Sequence, residues 1–361
     1  MALKLIKVGY VPYSRNLAHP GDRRRLGFWA ARTGSELEID APLRSDILIL
    51  SSNANFMNWI DKSEIPVVLD FVDGYLGENP NFLRDFLRNI IRTFKGTSSL
   101  RWITYTNHLK EACKRSNAVI VASVEQKSFV EKYNKNVFII LDNHSEVLVG
   151  RKPESNKTQL LPEGWAQNRI FWEGFGYTLK HFKVVSDALD IFLLDHDMIL
   201  TLVTVPEFHR WGGYLGKVKT SDLVKKYFPN SWNRVEIIPW SIENLIDQAK
   251  LSRFAIIPID SQDRFASIKS ENKLLSMWML GLPTVFSDIP SYRRVACITN
   301  ELRNCIKGDN WMEGLASIYS DTHTNLQVSM DVQIFLAENH GELAILAKWS
   351  QAIEETSRID R

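Results

Sequence analysis

The chain has 361 residues, 45% of them hydrophobic and 24% charged, with 44 Lys and Arg against 42 Asp and Glu. That length and balance support two folded domains with sizeable cores and exclude disorder; a net charge of +2 excludes a global field selecting nucleic acid or membrane. Three cysteines (Cys113, Cys297, Cys305), none in a CxxC pair, exclude a disulfide framework and fit a reducing compartment. The N-terminal MALKLIKVGYV is too short and too mixed for a secretory signal. No apolar run reaches the roughly 20 residues of a membrane-spanning helix. A cytoplasmic location is expected, with contact to the inner face of a membrane as the alternative.

Residues 3–11 predict a first buried strand. AHPGDRRR (18–25) follows it. Gly21 suits a tight turn, and Arg23, Arg24 and Arg25 form either a phosphate clamp or an exposed charge run opening a helix. DILILSS (46–52) and PVVLDFV (66–72) read as buried parallel strands. LDFVDGY (69–75) then places Asp70 and Asp73 at a strand end. Asp73 is a candidate general base, although Asp73-Gly74 also suits a plain turn. NFLRDFLRNIIRTFK (81–95) is an amphipathic helix. Phe82, Leu83, Phe86, Leu87, Ile90, Ile91 and Phe94 share one face, and Arg84, Arg88, Arg92 and Lys95 the other. The expected arrangement packs the apolar face on the sheet. The basic character persisting to residue 115 sustains an alternative, peripheral contact with anionic headgroups or a lipid-diphosphate acceptor. AVIVAS (118–123) and VFIILD (137–142) complete the series, and His144 is a second candidate base.

Residues 147–169 are polar and aperiodic, which predicts a linker over 151–168 between a domain 1–150 and a domain 169–340. RIFWEG (169–174), ILTLVTV (199–205), VEIIPWS (235–241), FAIIPID (254–260) and PTVFSD (283–288) predict a second set of strands. Strand–helix alternation in both halves implies two Rossmann-like, doubly wound α/β domains, with ligands beyond the carboxyl ends of the strands. At such ends stand Gly174 and Gly176 in GFGYTLK, Lys180, Thr204 and Trp240. Asp195-His196-Asp197 falls at the opposite end and reads as a turn, so metal independence is expected, with no cofactor. In SIKSENKLLSMWMLGLPTVFSD, Lys269, Ser270, Glu271, Asn272 and Lys273 crowd the start of an apolar helix that Gly281 ends. Cations there oppose the helix dipole unless an anion binds between them; a solvated first turn capped by Ser270 is the alternative. GELAILAKWSQAIEE (341–355) predicts a last helix, with 341–361 packing back across the domains.

The strand, loop and helix ending in Gly281-Leu282-Pro283 resemble the donor-binding segment of GT-B glycosyltransferases, close to glycosyltransferase family 4. VEIIPWSIENLIDQAKLSRFAIIPI and ACKRSNAVIVASVEQKSFVEKYNKNVFIILDNHSE are similar to other parts of that fold, and the resemblance spans most of residues 100–292. It implies two domains facing across a cleft, the acceptor held by the first and a nucleotide-sugar donor by the second. By this resemblance Lys180 and the Lys269–Lys273 cluster hold the diphosphate, Trp240 lies at the nucleobase, and the Gly21–Arg24 loop approaches the donor phosphates. Two glutamates typical of family 4 correspond to Ile268 and Ser276, and the arginine usual before the Lys180 position is absent. The implied activity is sugar transfer to a glycan or lipid-linked acceptor in polysaccharide biosynthesis. The alternatives are a nucleotide-sugar-binding protein without catalysis and a GT-B-like epimerase. The absence of G-x-G-x-x-G after either first strand argues against a nicotinamide dehydrogenase, and nothing points to a nucleic-acid partner.

Overall fold

The computed structural model describes residues 6–77, 81–148, 168–209, 216–320 and 332–359. They form two compact units: Met1–Asn143 with Ile268–Ser270 and Asn339–Arg361, and His144–Ser267 with Glu271–Glu338. Apart from Asn168, the predicted linker 151–168 lies outside the described residues.

The first unit carries a six-stranded sheet in the order β2-β1-β3-β4-β5-β6, every pairing parallel. Its strands are β1 (Val8–Val11), β2 (Leu37–Glu38), β3 (Ile47–Ser51), β4 (Val67–Phe71), β5 (Ala118–Val121) and β6 (Val137–Ile139). Every residue of β3, β4 and β5 is buried, as continuous Val/Ile/Leu runs covered on both faces require. The second unit holds β7 (Arg169–Glu173), β8 (Ile199–Thr204), β11 (Val235–Pro239), β12 (Phe254–Ile257), β13 (Thr284–Ser287) and β14 (Cys305–Ile306). Its order is β11-β8-β7-β12-β13-β14, again all parallel. A small antiparallel hairpin of β9 (Glu207–His209) and β10 (Lys217–Lys219) follows β8. All ten predicted strands are present. β2, β14 and the hairpin strands were not predicted, being two or three residues long.

Both sheets reverse direction once in chain order, and such a switch point opens a crevice at the strand carboxyl ends. It lies between β1 and β3 in the first unit, and between β7 and β12 in the second.

The arginines of the 18–25 segment separate. Arg25 is fully buried, so it is no exposed phosphate clamp. Its Nε lies 3.0 and 2.9 Å from the two carboxylate oxygens of Asp70 at the end of β4, and its Nη2 2.5 Å from Oδ1. Nη1 donates to Ile140 O and to Asp142 Oδ1, both at 2.9 Å. The indole of Trp349, on the helix Glu342–Ser357, covers the guanidinium at 5.6 Å. That helix is further tied to Leu26–Thr33 by Trp29 Nε1 donating to Ser350 Oγ (3.0 Å) and by Arg32–Glu342 (2.7 Å).

The amphipathic helix runs Phe82–Phe94, but the expected apolar face is only partly covered: Phe86, Ile90 and Ile91 are half-buried and the rest of that face is exposed. Its buried residues are Asp85 and Asn89. Asp85 accepts the backbone N–H of Thr106 (3.0 Å); Asn89 accepts from Ser98 Oγ (2.6 Å) and donates to the carbonyls of Ser99 and Trp102. Phe82, Leu83, Leu87 and Phe94 are 66, 64, 43 and 85% exposed. Specific hydrogen bonds outcompete apolar burial here, because the loop 98–106 presents polar groups that Asp85 and Asn89 help to satisfy.

Removing Arg25 leaves two carboxylates facing each other in the first unit. Arg25→Met is expected to cost about 3–5 kcal/mol, read as a lower urea midpoint for the transition of that unit.

Candidate active site

In the second unit the basic groups gather at the carboxyl ends of β7 and β12. β7 ends at Glu173, and the chain enters the 3₁₀ stretch Gly176–Val184. Gly176 is closely packed: a Cβ there would stand 2.4 Å from the ring of Phe208 in the hairpin, which would have to move. Lys180 and Lys183 project from this stretch to the segment after β12. Lys180 Nζ meets Asp263 Oδ2 at 2.5 Å, and Lys183 Nζ meets Asp260 Oδ2 at 2.6 Å. Burial disfavours ionisation of both carboxylates, but the lysine hydrogen bonds and charges prevail and hold them below the usual range. His181 is buried between the two lysines in sequence, and its Nδ1 accepts the backbone N–H of Asp260 (3.3 Å). Both lysine side chains remain more than half exposed. A lysine has three donors, so each keeps capacity for an anion while paired.

Glu173 organises the other side of the crevice. Its Oε1 accepts Trp240 Nε1 at 3.1 Å, fixing the indole just beyond β11. Lys273 Nζ donates to the Glu173 carbonyl (2.5 Å), stands 3.8 Å from its carboxylate and lies over the Trp172 ring at 5.1 Å. That ammonium also closes over Gly174, where a Cβ would approach it to 2.8 Å. Thr204 ends β8; its carbonyl accepts Trp240 N (3.1 Å) and its side chain is buried.

The Lys269–Lys273 cluster does not crowd one helical turn. The helix spans Asn272–Met279, and Glu271 stands at its N-cap with no side-chain capping bond, so Ser270 is not the cap. Glu271 is buried against Arg294 (2.9 Å). Lys269 and Ser270 group with the first unit. Ile268 does too, and its side chain packs on the turn after β4, where a Cβ on Gly74 would stand 2.7 Å from its Cδ1. Ser276 is buried within the helix.

The first unit places Asp73 after β4, half-buried beside a cavity lined by Phe71, Tyr75, Gln126 and Phe129. Burial raises the Asp73 carboxyl above the usual range, with the Lys269 charge acting in the opposite direction. The loop after β1 is held by buried Asp22, which accepts from Tyr10 Oη (2.7 Å) and from the backbone of Tyr13 and Ser14 (2.9 Å each). The Tyr13 ring lies over Gly21 and leaves no room for a side chain there. Arg24 is half-buried, and its carbonyl accepts Asn143 N at 2.8 Å. His144 is buried and groups with the second unit, at a turn against the helices Ile242–Lys250 and Asn272–Met279. Asp197 stands at φ 49° and pairs with Arg234 (2.5 Å), as a turn residue would. Among the described residues no three His, Cys, Asp or Glu side chains come together as a metal site would need.

No protein-family model and no curated protein sequence matches the chain. Solved structures do. An alpha-glucosyltransferase bound to UDP and a 13-mer DNA superposes with TM-score 0.59 at 12% identity, covering 97% of this chain and 99% of that one. WaaG, a glycosyltransferase involved in lipopolysaccharide biosynthesis, gives 0.55 at 13%, covering 96% and 98%. The fold is GT-B. TarM gives 0.55 at 11%, and there the chain covers 54% of the neighbour's length against 85% of its own. Within this GT-B chain, sequence reading singled out Lys180, Trp240 and Lys273 but not Asp263, the partner of Lys180, nor Glu173, the partner of Trp240 and Lys273, nor the Lys183–Asp260 pair. The recurrent signal was an acidic residue at the end of β7 and two more, three apart, after β12.

Gly176→Ala forces the Phe208 ring aside. The expected loss is about 1–3 kcal/mol, measured by urea unfolding, with faster proteolysis of the displaced hairpin.

Proposed function

We propose that the chain is a glycosyltransferase. It takes a nucleotide-sugar donor at the β7–β12 crevice of the second unit and transfers the sugar to a glycan or lipid-linked acceptor in polysaccharide biosynthesis, without a metal. The observation that carries this reading is the convergence of Lys180, Lys183 and Lys273 on the switch point of a parallel sheet, around close-packed Gly174 and Gly176. Transfer breaks the bond between the anomeric carbon and the diphosphate oxygen, and the nucleoside diphosphate leaves with both electrons. Cations already in place where that charge develops lower the barrier without reorganising at the moment of reaction. Trp240, anchored by Glu173, offers an indole face for the nucleobase. In the first unit Asp73 is assigned as the base that takes the acceptor hydroxyl proton, since a carboxyl raised by burial is the stronger base. Two neighbours support this reading: the alpha-glucosyltransferase is in complex with UDP, and WaaG is involved in lipopolysaccharide biosynthesis.

A second reading is nucleotide-sugar binding without catalysis. It is favoured by Ile268 and Ser276, apolar or neutral where the resemblance implies glutamates. Donor consumption separates the two.

UDP at ~100 times its dissociation constant is expected to stabilise the chain by about 2.7 kcal/mol, a shift of a few degrees in thermal unfolding. Lys180→Ala and Lys273→Ala reduce that shift. No shift with any nucleoside diphosphate removes the donor site.

Asp73→Asn is expected to lower kcat by about 10²–10⁴. In the wild type the rate falls with acidification as the base is protonated, and the raised Asp73 carboxyl moves that limb above the usual carboxylate range. An unchanged acid limb in Asp73→Asn discards this assignment while leaving donor binding intact.

A further inference from the structure

Leu83, Leu87 and Phe94 recur at i, i+4 and i+11 and therefore form one stripe along the helix Phe82–Phe94. All three are exposed, Phe82 is exposed beside them, and the loop that follows adds exposed Leu100 and Ile103. The fold does not use this stripe, because the inward side of the helix is already occupied. Asp85 and Asn89 are pinned to the loop 98–106, and Arg92 turns inward over the Tyr105 ring (4.2 Å) and donates to Ser52 O (3.3 Å). Along the other border of the stripe run Arg84, Arg88 and Lys95, at i, i+4 and i+11 in their turn, with exposed Arg101 in the loop. Residues 81–103 contain five basic side chains and a single carboxylate, Asp85, which is buried.

We infer that this face is a docking surface for an anionic lipid bilayer. An apolar stripe flanked by cations suits the boundary between acyl chains and headgroups: the leucines and phenylalanines enter the apolar layer while the arginines and lysine stay with the phosphates. A protein partner of ordinary composition would not ask for so one-sided a charge. The surface lies on the helix instead of being a span, as no described helix is long and apolar enough to cross a membrane. This inference is independent of the donor site and needs no activity to test.

The test is flotation of the full chain with vesicles of phosphatidylcholine alone and of phosphatidylcholine with phosphatidylglycerol, at low and high salt. The wild type is expected to float with the anionic vesicles at low salt, to leave them as salt rises, and to stay behind with phosphatidylcholine alone. Leu83→Ser/Leu87→Ser/Phe94→Ser loses at least tenfold in partition. Arg84→Gln/Lys95→Gln loses roughly fivefold for each charge removed. The serine variant keeps the wild-type unfolding midpoint, because the stripe supports no core. Four outcomes overturn the inference: wild type that floats with neither vesicle, serine variant that floats as well as wild type, a lowered midpoint in that variant, or a lipid-free dimer that the serines dissolve. The last would assign the face to a second copy of the chain.

Discussion

A charge that cannot reach water sets the terms for the first unit. Arg25 arrives from the helical turn after β1 and must find its counter-charges inside. It finds Asp70 at the end of β4 and Ile140 and Asp142 beyond β6, so three separated stretches of chain meet at one guanidinium. A buried arginine is costly unless its donors find partners, and here five hydrogen bonds, four of them to the carboxylates of Asp70 and Asp142, reach the guanidinium. Asp22, three residues earlier, is equally buried and holds the loop after β1 by four acceptor contacts. Two positions three residues apart thus fix both the sheet end and the loop above it. Gly21 and Asp73, the candidates of this unit, owe their placement to these two anchors.

The second unit works differently. Its polar groups at the strand ends are paired but accessible, with lysine side chains exposed and the carboxylates less so. A pair of that kind contributes little to stability in water, yet it holds a cation at a defined point until an anion arrives. Glu173 does the same for an aromatic face and a third ammonium group through separate atoms. The structural burden falls on the apolar core below, from Ile170 to Ile318, so the ends are left to carry chemistry.

Much of this was readable from the sequence. Apolar runs longer than three residues, separated by helical patterns, give ten strands and two doubly wound sheets, because a buried parallel strand has no polar face to disguise it. Pairings are another matter. Nothing in Arg23-Arg24-Arg25 distinguishes the buried arginine from its half-exposed neighbours; only the fold brings Asp70 and Asp142 to one of them. Amphipathicity in residues 81–95 states that two faces differ, not which one turns inward, and the decision was made by Asp85 and Asn89 through a loop a dozen residues away. Lys180 and Lys273 were legible as cations at strand ends, whereas Glu173 was hidden as the last residue of an apolar strand. Lys269 to Lys273 looked like one cluster because sequence proximity does not reveal that the helix begins only at Asn272.

The helix Glu342–Ser357 completes the first unit, yet about 200 residues of the second unit separate it from Asn143. On a ribosome adding roughly 5–20 residues per second, that is a wait on the order of 10–40 s. Throughout it the growing chain has all six strands of its first sheet but not the indole of Trp349 over Arg25 or the partner of Trp29. The second unit needs no such late arrival. The order of synthesis and the order of completion are therefore opposed: the half that is made first is finished last.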